Sequence, residues 1–121
     1  KSTCYFEFYG PKSFAGYHEE NDEHTVTLFD IDLFKHGLMP PDELLDLNEG
    51  DGIELPKCLY RGNPNQEFVD AVRNGTLSFM TFEGVVCKSK RGGMFKIKSQ
   101  AWLDRLRLKC EGNEQLFQQL A

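Results

Sequence analysis

The chain reads as an α+β fold, a mainly antiparallel sheet with flanking helices. Three observations predict it. Runs of strand-type residues alternate with well-capped helical stretches. An Arg91-Gly92-Gly93 turn joins two strand-like segments as a hairpin. No repeat, low-complexity tract or internal linker interrupts the 121 residues. At 40% hydrophobic and 27% charged, the chain has enough material for one domain with its own core. No apolar run approaches the roughly 18 residues of a membrane span.

In order, Tyr5, Phe6, Phe8 and Tyr9 around Glu7 form an aromatic strand closed by Gly10-Pro11. After an acidic loop, "HTVTLFDIDLF" alternates Val26, Leu28 and Asp30 with Thr27, Phe29 and Ile31, the pattern of a largely buried central strand. Proline and acids open "PDELLDL", a short helix with Leu44, Leu45 and Leu47 as its apolar face. "EGDGIELPKCLY" reads as a turn and a short strand. Asn63 as N-cap, Pro64 in the first turn and Gln66 completing a capping box announce a helix whose inner face is Phe68, Val69 and Val72. Asn74-Gly75 ends it. "LSFMTFEGVVCKS" is strand-like, and "MFKIKS" is the second hairpin strand, with Phe95 and Ile97 on one face and Lys96 and Lys98 on the other. Ser99 can cap a helix through Trp102, Leu103 and Leu106, although "RLRLK" also alternates as a strand; "NEQLFQQL" is helical.

Charge is unevenly distributed. Net charge is -5, but residues 1–87 hold 6 basic and 16 acidic side chains, while 88–109 hold 8 basic and one acidic. That asymmetry points to a polyanionic partner, with a solvated basic edge as the bland alternative. Cys4, Cys58, Cys87 and Cys110 form no Cys-x-x-Cys pair and fit reduced core residues of a cytoplasmic protein better than a disulfide framework or a zinc site. The opening residues lack the pattern of a secretory signal, and Asn74-Gly75-Thr76, though a glycosylation match, reads more simply as a turn.

Two lysines on one strand face repel each other, and either solvent or polyphosphate oxygens relieve that repulsion. Alternating lysines also protect exposed sheet edges. On the partner strand, Glu83 precedes Gly84 and Val85-Val86. A carboxylate beside several cations can hold a divalent metal that bridges to phosphate, or it can form a salt bridge to a lysine. Glycine there lets a ligand approach the backbone. "DIDLFKHG" begins like a calcium loop but has Phe34 at the third ligand position; His18, His24 and His36 have no metal spacing. Neither a glycine-rich phosphate loop nor an acyl-transfer nucleophile motif occurs.

"EGVVCK" followed eight residues later by "KIK" resembles the last two signature motifs of the covalent nucleotidyltransferase superfamily, which includes ATP-dependent ligases and mRNA capping enzymes. "YFEFYG" and "LFDI" are similar to its intermediate motifs, in the right order, and "FDI" with "EFYGPKSFAGYH" resembles the RNA ligases in particular. The resemblance covers residues 5–98. It implies that these residues belong to a ligase adenylation domain using ATP and Mg2+ on polynucleotide ends, RNA more than DNA. It further implies that Glu7 contacts the ribose, Phe29 stacks on adenine, Glu83 serves the metal, and Lys96 and Lys98 hold the phosphates. Lys88, closing "EGVVCK", would reach the same anion or the nucleic-acid strand.

The family's chemistry starts from a lysine in Lys-x-Asp/Asn-Gly, which takes AMP from ATP. Lys12-Ser-Phe-Ala, Lys35-His-Gly-Leu and Lys57-Cys-Leu-Tyr do not match it. The expectation is therefore the later part of a longer nucleotidyltransferase, with the nucleophile upstream or on a partner chain. The alternative is a non-catalytic nucleotide- or RNA-binding module.

Overall fold

The computed structural model describes residues 1–9, 25–47 and 54–121. Among them, β1 (Ser2–Tyr9), β2 (Thr25–Leu33) and β3 (Gly37–Leu38) form one antiparallel sheet in that order. β4 (Gly84–Lys88) and β5 (Met94–Lys98) form a separate antiparallel hairpin. Helices α1 (Pro41–Leu45), α2 (Gln66–Arg73), α3 (Gln100–Lys109) and α4 (Glu114–Leu120) complete the α+β architecture. The Gly10-Pro11 turn, the acidic loop after it and the turn before Glu54 lie outside the described residues. No helix of the described residues is long and apolar enough to cross a membrane.

The alternation expected along β2 breaks at Phe29. Tyr5 pairs with Asp30 and Phe6 with Leu28, so Phe29 has no partner and the strand carries one extra residue. Such a bulge shifts side-chain parity by one. Leu28 and Ile31, placed on opposite faces by simple alternation, consequently share one buried cluster with Leu44 of α1 and Leu55. Val26, expected inside, is exposed. The strand expected after the turn shrinks to a single bridge, Thr27 to Glu54, with the Leu28 amide donating to the Glu54 carbonyl at 2.9 Å.

A second cluster joins Phe68 and Val72 of α2 to Ile97 of β5, with Val85 and Cys87 packed against them. A third joins Trp102, Leu106, Cys110 and Phe117 across α3 and α4. The helix at 100–109 forms because Ser99 caps it, accepting from the Trp102 amide at 3.1 Å, and because Trp102 and Leu106 at helical spacing bury together. A strand over "RLRLK" would put Leu106 and Leu108 on one face, whereas Leu106 is buried and Leu108 exposed.

Two boundaries differ from the sequence reading. α2 is capped by Asn65, whose side chain accepts from the Phe68 amide at 2.8 Å, so Asn63 and Pro64 lie outside the helix. Tyr60 explains the shift: its ring packs on Phe68 with centroids 4.5 Å apart and its hydroxyl donates to the Asn63 carbonyl at 3.1 Å, folding residues 60–63 back over the helix start. At the other end the Thr76 amide donates to the Ala71 carbonyl and the Gly75 amide to the Val72 carbonyl, a Schellman closure around Gly75 at φ +73°. Strand β4 starts only at Gly84, because residues 77–80 form a turn with Phe79 at φ +66°. Of the cysteines expected in the core, Cys110 is buried and Cys87 half-buried, but Cys4 and Cys58 are exposed.

Candidate functional site

The hairpin is oriented by its apolar face. Ile97 is buried against α2, so the intervening Lys96 and Lys98 lie on the opposite face, across from Val86 and Gly84 of β4. That lysine face borders a cleft of about 290 Å3 whose other wall is the β1–β2 sheet. Its lining includes Tyr5, Glu7, Phe29, Glu83, Lys96 and Lys98. The volume lies at the lower edge of the roughly 300–1,000 Å3 usual for small-ligand sites. Five residues singled out from the sequence, on three strands and the loop before β4, therefore meet at one place.

Glu83 and Lys98 form an ion pair with each other, the bland alternative of the sequence reading. Lys98 is the more buried partner, its side chain 14% exposed against 46% for Glu83, and its Nζ lies 4.4 Å from the centroid of the Trp102 ring. The ammonium is thus held by a carboxylate and an aromatic face together. Ser99 fixes the loop that carries Glu83: its amide donates to the Glu83 carbonyl at 2.9 Å and its hydroxyl to the Phe82 carbonyl at 2.6 Å. The hydroxyl oxygen that caps α3 accordingly also ties down the acidic side of the cleft. Thr81 adds a hydroxyl donor to the Gly84 carbonyl at 3.0 Å.

Lys96 is exposed and forms no ion pair among the described residues. With Lys98 paired to Glu83, Lys96 and Glu7 are the other two charges of the lining, of opposite sign. Glu7 is exposed on β1, opposite Thr27. Phe29 presents its bulged position to the cleft.

Lys88 stands apart from these five. It is not part of the cleft lining; its Nζ donates to the Phe29 carbonyl at 2.7 Å and to Asp30 Oδ1 at 3.0 Å, and lies 4.5 Å from the Phe29 ring centroid. The Asp30 side chain is 6% exposed. A carboxylate buried that deeply needs a counter-charge, and Lys88 supplies it while tying β4 to β2. The lysine therefore braces the ring wall of the cleft from outside the lining.

Gly84 has a structural reason that the sequence reading assigned to a ligand. Its φ is +141°, and a Cβ there would fall 2.1 Å from the Ile97 carbonyl oxygen. Glycine is required for β4 to pair with β5 at the Gly84–Lys98 end. Asp30, Ser99 and Trp102 escaped the sequence reading as site-forming residues; an acid amid the apolar residues of "LFDI" was the one signal available, since such an acid demands a buried partner.

Among the described residues no group of three or more His, Cys, Asp or Glu side chains gathers as a cation cage. A divalent ion that arrives on nucleotide phosphates needs only one or two carboxylates from the protein, and Glu83 is in the cleft lining. No protein-family model, curated protein or solved structure matches the chain.

Proposed function

We propose that this chain is the nucleotide-binding portion of an ATP-dependent RNA ligase, and that its cleft holds ATP with Mg2+. One observation carries the reading: Glu7, Phe29, Glu83, Lys96 and Lys98, named from four ordered motifs, line a single cleft. In this reading Phe29 stacks on the base, Glu7 binds the ribose, and Lys96 meets the phosphates. Glu83 and Lys98, paired with each other here, would hold the Mg2+ and a phosphate oxygen respectively, the ion supplying charge neutralisation on the phosphates. Charge balance is kept on both sides. Lysines aimed at the α-phosphate stabilise the charge that develops there during nucleotidyl transfer.

The reaction proper also needs the attacking lysine, and the Lys-x-Asp/Asn-Gly motif is not in this sequence. The proposal therefore places adenylylation and end sealing in the complete enzyme, on RNA ends more than DNA ends, in the reduced cytoplasm that four free cysteines suit. The missing motif also supports a second reading, a nucleotide- or RNA-binding module that acts without catalysis or with a partner chain. Calorimetric titration with ATP and Mg2+ tests the common core: the 121-residue chain binds, Lys96→Ala weakens binding at least about tenfold, and labelled ATP leaves no covalent AMP. No binding overturns the ligase reading and leaves, of the second, only an RNA-binding module. A polypeptide that supplies the lysine motif and restores sealing decides for the ligase; binding without sealing decides for the module.

A further inference from the structure

Phe79 is the most exposed large hydrophobic residue among those described, at 84%. It sits at the second central position of the turn from Leu77 to Met80, closed by the Met80 amide donating to the Leu77 carbonyl at 3.2 Å, with φ +66°. Turns of that geometry favour glycine there, and a bulky aromatic in the left-handed region is strained. The flanking Leu77 and Met80 pack onto the Phe68–Val72–Ile97 cluster, so both sides of the turn are anchored while the ring between them is turned out to solvent. Neither burial nor backbone preference accounts for phenylalanine at this position. Strain kept without a folding gain points to a use at the surface.

Two further observations say what the ring meets. Lys57, from the segment after Leu55, places its Nζ 5.8 Å from the Phe79 centroid. Phe79 also lies two residues before Thr81 and four before Glu83, both in the cleft lining, so at most about 7 Å of chain separates it from the cleft edge. An exposed π-face beside a cation, next to a cleft bearing Lys96 and Lys98, matches one nucleotide unit: a base to stack and a phosphate to pair. A lipid surface would call for several apolar side chains together, and the neighbours of this ring are polar or anchored inward.

We infer that Phe79 and Lys57 form a docking platform for single-stranded polynucleotide, Phe79 stacking one base and Lys57 contacting the adjoining phosphate, so that the strand end enters the cleft past Thr81. The inference extends the ligase reading by giving the acceptor strand a place on this chain. It does not depend on the cleft binding ATP.

Fluorescence anisotropy with a labelled single-stranded RNA of about ten nucleotides, and its DNA counterpart, tests it. Calorimetry with ATP and Mg2+ and sedimentation are run on the same proteins. Base–aromatic stacking sets the expected loss for Phe79→Ala at roughly 5- to 150-fold in RNA affinity. Phe79→Tyr retains binding. Phe79→Gly loses it while raising the melting temperature, because glycine removes the backbone strain; a merely structural role would not separate those two readouts. Lys57→Ala weakens binding and lowers the salt slope by about 0.7. An equal loss on DNA supports stacking, as does a loss on RNA alone, which adds ribose recognition. Wild-type protein that binds no oligonucleotide overturns the inference, and so does Phe79→Ala within about twofold of wild type. A change in self-association at constant oligonucleotide affinity overturns it in favour of a protein contact. ATP binding with an unchanged Phe79→Ala titration removes this inference alone, whereas Phe79-dependent RNA binding without ATP binding removes the nucleotide reading alone.

Discussion

At the scale of single residues, Lys88 and Asp30 show how a motif residue serves a site without lining it. The Asp30 carboxylate is all but buried and Lys88 is its partner at 3.0 Å. Removing the lysine leaves an uncompensated charge, so Lys88→Met is expected to destabilise the fold by about 3 kcal/mol in urea denaturation. Replacing both, as Lys88→Met with Asp30→Leu, should recover most of that loss, because two apolar groups need no counter-charge. A double mutant as unstable as the single would refute the buried-charge account. Lys96 and Lys98 were legible in the sequence, since strand parity alone puts them on one face. A salt bridge from Glu83 to a lysine was one of two alternatives there, and the choice of Lys98 depends on Ser99 and Trp102 of the α3 start meeting the loop that carries Glu83.

Among the elements, the hairpin is constrained at Gly84. A methyl group at position 84 would meet the Ile97 carbonyl at 2.1 Å, in a backbone conformation that L-residues rarely adopt. Gly84→Ala is therefore expected to cost upwards of about 2 kcal/mol and to separate the two strands at the cleft end. Hydrogen exchange at the β4–β5 amides would read this directly: wild-type protection there in the variant would be the contrary result. Sequence punctuation located the helices well, because caps and left-handed closures act locally, as the Ser99 cap and the Gly75 closure do. It mislocated the start of α2 because Asn63 and Asn65 are equally good caps. Their choice was made by the distant stacking of Tyr60 on Phe68. The bulge at Phe29 was hidden for a related reason: an extra residue in one strand exists only relative to its partner.

Across the whole molecule, three buried clusters and a few polar ties hold the described residues. One tie joins α1 to the segment before α2: Arg61 donates to Asp42 at 2.5 Å, both side chains exposed. The hydrogen bond and charge of Arg61, with a smaller contribution from Lys90 in the hairpin turn, hold the Asp42 carboxyl below its ordinary 3.8. A carboxylate lowered by folding stabilises the native state above its unfolded value and loses that contribution as pH falls through the folded one. The melting-temperature gap between wild type and Arg61→Ala should accordingly be widest above about pH 5, close towards about pH 2, and shrink with salt. A gap independent of pH would show that Arg61 acts through packing. By itself the sequence determined the α+β class, the Ser99 cap of α3, the parity of Lys96 and Lys98 and the set of residues worth testing, because periodicity and capping are properties of neighbours along the chain. Only the tertiary structure decided that Glu83 meets Lys98, that Lys88 braces Phe29 while pairing with Asp30, and that Phe79 stands outside, because each depends on elements far apart in sequence competing for the same space and charge.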